Sequence, residues 1–165
     1  VNVDELAAYR VVALDGCDGT GKTSLANLLA TNHGFTIVHS PRTPDQVDLA
    51  ARYRSLISGD GRLVMDRCFI SELVYGPIHR GRSRLALEDA LDLAEAVTAH
   101  SGVMVHLTAP PQVIQHRLLE RDGPPLTPIE EITELVDAYG RLFDTVGARV
   151  QVVRIDTAQV TEPFR

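Results

Sequence analysis

Lys22 and Thr23 close a run of glycines, Gly16, Gly19 and Gly21, which follows four apolar residues, Val11 to Leu14. The spacing satisfies G-x-x-x-x-G-K-[ST], the pattern of a phosphate-binding loop. Glycine permits the positive φ angles that turn successive N–H groups onto one anion, at the positive end of the following helix. Lys22 adds a point charge for the β- and γ-phosphates, and the Thr23 hydroxyl is placed to ligate Mg²⁺. Nucleotide contacts are therefore expected from Gly16, Cys17, Asp18, Gly19, Thr20, Gly21, Lys22, Thr23 and Ser24. The competing reading is a glycine-rich turn that only caps a helix; an apolar strand before and a helical pattern after favour the phosphate site.

A second group ends another apolar run, Arg62 to Asp66. A carboxylate in that place, Asp66, suits Mg²⁺ held through water, and Arg67 offers a planar fork to a second phosphate. The plainer alternative is an Asp-Arg pair capping the next helix. Asp18, inside the loop, suits orientation of an acceptor hydroxyl or proton removal, or else merely stabilises the turn. Arg117 and Arg121 stand i, i+4 on one helix face before the proline-rich stretch Asp122 to Pro128. Without further context they are a solvated basic face, paired with Glu120 or Asp122. His79 to Arg84 crowds cations into six residues, either as a solvated turn or as a guide for a polyanion such as DNA. The remaining histidines show no metal-ligand spacing, and His106 reads as a core residue.

The elements that must position these groups alternate. Strands are expected at Arg10–Leu14, Phe35–His39, Arg62–Asp66, Val103–Thr108 and Arg149–Asp156. Helices are expected after the first strand to about Asn32–Gly34, at Val47–Ile57, at Ile70–Ile78 with an interruption at Gly76-Pro77, at Leu85–Ala99, from Pro110 through Leu119, and at Ile129–Val146. Such alternation predicts an α/β parallel sheet with right-handed crossovers and helices on both faces. Ligands then sit at the carboxyl ends of the strands, where each motif falls.

With 165 residues, 44% hydrophobic and 23% charged, one domain over residues 1–165 is expected, and no linker divides it. A net charge of −6 argues against a general nucleic-acid or membrane-surface binder. No apolar run approaches a membrane span, and the first residues lack a signal peptide's apolar core. Two cysteines give no disulfide framework, so a reducing cytoplasm is expected.

D-G-C-D-G-T-G-K-T-S resembles the E-G-x-D-G-x-G-K-T-T loop of the thymidylate kinase group of nucleoside and nucleotide kinases, including the extra aspartate, Asp18. D-R-C-F-I-S-E-L-V-Y resembles that group's D-R-Y-x-x-S-x-x-A-Y segment at Asp66, Arg67, Ser71 and Tyr75. H-R-L-L-E-R-D-G resembles the entry to its lid, and V-V-R-I-D-T-A its last strand. The resemblance implies a three-layer P-loop NTPase fold with strand order 2-3-1-4-5 and a short lid near 117–128. It also implies γ-phosphoryl transfer from ATP, with Mg²⁺, to a nucleoside or nucleoside monophosphate. In those terms Lys22, Asp18, Asp66, Arg67 and Arg121 are catalytic, and Thr23 and Asp66 hold the metal. Arg117 joins Arg121 in closing on the phosphates, and Arg42, Tyr53, Arg67, Ser71 and Tyr75 bind the acceptor. Two departures stand out: Tyr75 is followed by Gly76-Pro77 rather than a base-reading Gln, and Asp122 to Thr127 holds no further basic residue. Two alternatives stay open, a P-loop kinase with a different hydroxyl acceptor (a deoxynucleoside, or a modified base within DNA) and a nucleotide-binding switch. The switch is disfavoured because no N-K-x-D motif occurs. A homodimer is left open.

Overall fold

A computed structural model describes residues 3–39 and 48–159. Helix α1 (Val3–Leu6) precedes β1 (Val11–Asp15). The chain continues as α2 (Lys22–His33), β2 (Thr36–His39), α3 (Leu49–Ser58), β3 (Leu63–Asp66) and α4 (Ile70–Arg80). It then forms α5 (Leu87–Ala99), β4 (Gly102–Thr108), α6 (Pro111–Asp122), α7 (Ile129–Gly147) and β5 (Val152–Asp156). All strand pairs are parallel and the order is β2-β3-β1-β4-β5, as the resemblance implies.

Alternation along β1 divides the core. Val11 and Ala13 face α3, α4, α5, α6 and α7, packing near Tyr53, Phe69, Leu93, Ile114 and Tyr139. Val12 and Leu14 face α1 and α2, packing near Leu6, Leu25 and Leu29. Successive residues of a strand point to opposite faces, so an unbroken apolar β1 is what two buried faces require. The register sets Leu14 beside Asp66 on one side and Val105 on the other. The ends of β1 and β3, which carry the two chemical motifs, are therefore neighbours. No helix among the described residues is long and apolar enough to cross a membrane.

Element boundaries shift by a few residues throughout, and three departures from the sequence expectation have a physical reason. Gly76-Pro77 does not interrupt α4, which runs on to Arg80. Gly76 leaves room there for the next turn: a Cβ would lie 2.8 Å from Glu72 Oε1 and 3.1 Å from the Arg82 carbonyl oxygen. Burial of Ile70 and Val74 holds the helix where local propensity would end it. At the last strand, Ala148, Arg149 and Val150 still donate to carbonyls of α7, so β5 begins only at Val152. α1 is too short to show a helical period, and its Val3 and Leu6 are simply buried beneath the sheet.

His106 is a core residue, as expected. It is 6% exposed and stacks on Phe143 with ring centroids 4.4 Å apart. Burial, with Arg154 nearby, pushes its pKa from the ordinary 6.5 to about 4. Between those values the unfolded chain binds a proton that the folded chain refuses. The contribution to stability is therefore complete above pH 6.5 and lost progressively as pH falls towards 4, by at most about 3 kcal/mol. Urea unfolding at pH 7 and pH 4.5 should show a smaller acid loss for His106→Leu than for the parent; equal losses would assign the effect to other groups.

Candidate active site

Gly16, directly after β1, has φ +153° and passes so close to β4 that an ideal Cβ there would stand 2.1 Å from the Leu107 carbonyl oxygen. Gly21, at φ +96°, caps α2 with no side-chain hydrogen bond, and no acidic residue occupies that helix's first turn. The N–H groups at the start of α2 are thus left for an anion. The two glycines differ in a measurable way. Gly16→Ala must push the loop away from β4 and should cost at least about 3 kcal/mol in chemical denaturation. Gly21→Ala has open space and only the left-handed backbone to bear, on the order of 1 kcal/mol.

Lys22 is buried, and its ammonium donates to the carbonyls of Gly16 (2.7 Å) and Cys17 (2.8 Å). Burial pulls its pKa down, partly offset by Asp15. The Thr20 hydroxyl donates to the same Cys17 carbonyl at 2.7 Å, so the loop is braced from within. Thr23 Oγ1 donates to Asp66 Oδ2 at 2.7 Å, and His39 Nδ1 lies 3.1 Å from that oxygen. The Thr23 and Asp66 oxygens are hard donors of the kind Mg²⁺ takes. Among the described residues no three His, Cys, Asp or Glu side chains gather as a metal set. Phosphate oxygens and water would complete the cation's shell, the usual arrangement for Mg²⁺ with a nucleotide.

On the other side of the loop Arg121 reaches back from the end of α6. Its two terminal nitrogens each donate to one Asp18 oxygen at 3.0 Å, while Nε and Nη2 also donate to Asp122. Asp18 is held below the usual carboxylate range chiefly by that Arg121 fork. A carboxylate so stabilised is a poor proton acceptor. Arg67 Nη2 stands 3.9 Å from Asp18, and its guanidinium lies 5.3 Å from the Tyr75 ring centre. Its backbone is left-handed, with φ +67°. For a non-glycine residue that costs about 1 kcal/mol or more and is found chiefly where surroundings enforce it.

Asp18 to Ser24, His39, Asp66, Arg67, Arg117 and Arg121 all line one cleft of about 1300 Å³. The structure thus gathers most of the residues expected to bind nucleotide or metal. Other expected residues are engaged elsewhere or buried. Arg117 donates to the Gly19 carbonyl (3.3 Å) and to Thr157 Oγ1 (2.8 Å) and O (3.0 Å), so it ties α6 to the phosphate loop and the end of β5 rather than being free to close on phosphates. Tyr53, expected to bind the acceptor, is 6% exposed and meets Phe69 edge-on inside the core, which leaves no ring face for a base. Ser71 is buried and donates to Asp15 Oδ1 at 2.6 Å, so it supports the site from behind. Tyr75 does not line this cleft: it stacks on His79 beneath the Arg67 guanidinium and faces a separate pocket beside α7. Arg42 lies outside the described residues. Cys17 and Cys68 are both buried and burial raises both thiol pKa values, so neither is a ready nucleophile.

The basic turn after α4 is largely spoken for. Glu72, 11% exposed, pairs with Arg80, accepts from the Arg84 N–H at 2.7 Å and lies 3.6 Å from Arg84 Nε. Sequence reasoning missed Glu72, His39 and, above all, Asp15. The signal for Asp15 was present but faint: a carboxylate closing a strand that is apolar on both faces.

No protein-family model and no curated protein matches the chain. Solved structures do. The chain is similar to the YorR protein of Bacillus subtilis, solved in complex with phosphorylated GDP, with a TM-score of 0.77 and 21% identity over 90% of this chain and 86% of that one. It is similar to deoxyadenosine kinase from M. mycoides with bound dCTP (TM-score 0.59, 14% identity, 90% of each chain). It is also similar to a gluconokinase from Sinorhizobium meliloti 1021 (TM-score 0.57, 20% identity, 95% of this chain and 85% of that one). At these identities the likeness establishes the fold, which this chain shares with kinases.

Proposed function

We propose that the chain transfers the γ-phosphoryl group of ATP to a nucleoside monophosphate, in the manner of the thymidylate kinase group. One observation carries the reading: a buried lysine, an uncapped helix start, a Thr23–Asp66 oxygen pair and the Arg67–Asp18–Arg121 cluster open into a single cleft. Phosphoryl transfer asks for positioning and charge neutralisation more than covalent chemistry, and these are the parts it needs. The α2 N-terminus and loop N–H groups cradle the triphosphate, and Lys22 leaves its loop carbonyls to meet the β- and γ-oxygens. Thr23 and Asp66 would hold Mg²⁺, which when bound would supply further charge neutralisation at the phosphates. Arg67 grips the acceptor phosphate, and Asp18 sets the direction of both arginines. Arg121, at the end of α6 beside the short lid, exchanges Asp18 for a phosphate oxygen as the transferring group gains charge.

A second reading has its own observation. Asp18 already balances the arginines on the acceptor side, which suits an uncharged hydroxyl acceptor such as a deoxynucleoside; the fold shared with deoxyadenosine kinase is consistent with it. ATP consumption measured across nucleoside monophosphates, deoxynucleosides, gluconate and an oligonucleotide separates the readings. Turnover is expected with a monophosphate. Turnover with deoxynucleosides alone would establish the second reading, and tight ATP binding with no turnover on any of them would replace both with a binding module.

A further inference from the structure

Asp15, the last residue of β1, is fully buried and gathers six donors. Oδ2 accepts from the Cys68 N–H (3.1 Å), the Ser71 N–H (2.8 Å) and Cys68 Sγ (3.4 Å). Oδ1 accepts from Ser71 Oγ (2.6 Å), the Gly16 N–H (2.9 Å) and the Tyr139 hydroxyl (3.1 Å). A buried carboxylate is costly unless its oxygens are satisfied, and here donors from three separate parts of the chain satisfy them.

The placement has a direction. Cys68 lies in the turn that leaves β3, immediately after Arg67, and Ser71 in the first turn of α4. Both N–H groups point to the carboxylate, and the bend just before them is where Arg67 adopts its left-handed φ of +67°, with its guanidinium beside Asp18 and the Tyr75 ring. The same anion touches Gly16, where the phosphate loop begins, and Tyr139 on α7, the helix after the lid. Backbone strain at a side chain that lines a cleft persists where surrounding bonds over-determine it, and Asp15 supplies those bonds.

We propose that Asp15 is a positioning residue that fixes Arg67 for the acceptor, acting through the segment from Cys68 to Ser71 at the start of α4; this rests on the phosphoryl-transfer reading above. A merely structural carboxylate would weaken the use of ATP and acceptor together, whereas a positioning one splits them. The test uses the full chain with Asp15→Asn, Ser71→Ala and the double variant. Asp15→Asn should raise the acceptor monophosphate KM about tenfold and leave the ATP KM within about threefold. Ser71→Ala, which removes one bond of the set, should give the same split at about threefold. Because both act through one carboxylate, the double variant should be no worse than Asp15→Asn. Equal losses for ATP and acceptor would overturn the proposal, as would multiplying effects, which would mean that Ser71 touches the acceptor itself. Should Asp15→Asn fail to fold, Ser71→Ala alone must still show the split. Amide hydrogen exchange needs no turnover and so separates this proposal from the functional reading: Cys68 and Ser71 should exchange at least about tenfold faster in Asp15→Asn, with β4 amides unchanged. Unaltered exchange at those two amides would also refute it.

Discussion

Lys22→Ala is expected to lower kcat roughly a thousandfold, because an ammonium aimed at the transferring phosphate is worth most in a cleft where water competes little. The cost falls on turnover more than on nucleotide affinity, since the charge it opposes grows between ground and transition state. The structure adds a second effect. Lys22 braces the loop through the Gly16 and Cys17 carbonyls, and in the variant only Thr20 still reaches Cys17. Lys22→Met, which fills the space without the charge, should match Lys22→Ala in kcat and exceed it in thermal stability. Single-turnover rates and nucleotide titrations of both variants make the comparison; a loss below about tenfold in kcat would remove Lys22 from the chemistry.

Arg67→Ala is expected to raise the acceptor KM about a hundredfold while ATP affinity stays within about threefold, the signature of a lost charge-assisted contact on one substrate only. Because Arg67 sits at φ +67°, Arg67→Gly should be more stable than Arg67→Ala by about 1 kcal/mol and equally poor with the acceptor. Stability and binding thus move apart at one position, which a general folding defect cannot imitate. If Arg67→Ala abolished ATP binding and spared the acceptor, the assignment of separate donor and acceptor halves would fall. Calorimetric titration of each substrate against each variant decides it.

The legible features were those written in consecutive residues. The phosphate loop, the strand-ending Asp66 and the alternation of strands and helices each depend on local spacing, and the strand order followed from the resemblance. What escaped was set by partners far apart in the chain. Asp15 meets Ser71 and Tyr139, 56 and 124 positions away, and nothing near Asp15 announces either. Arg121 could be read as a lid arginine, yet its fork onto Asp18 spans 103 positions and changes what Asp18 can do. Tyr53 has a helical neighbourhood with arginines on each side, which suggests a base platform; its burial against Phe69 is decided by the start of α4, a different element. Gly76-Pro77 misled for the same reason: the rule that breaks helices is local, while the packing that preserves α4 is not.

Glu72 has a consequence for the kind of polymer this molecule would tolerate. Protein association with DNA draws on the release of condensed counterions, and the logarithm of its affinity falls with the logarithm of salt by about 0.9 for each phosphate neutralised. The turn from His79 to Arg84 reads as three arginines' worth of such release. Glu72 faces both Arg80 and Arg84, so one carboxylate offsets one of the three arginine charges, and the slope expected of the turn falls from about 3 to about 2. The surface around this turn is thus less cationic than its sequence suggests, and any oligonucleotide it meets is expected to be held with a correspondingly weaker dependence on salt.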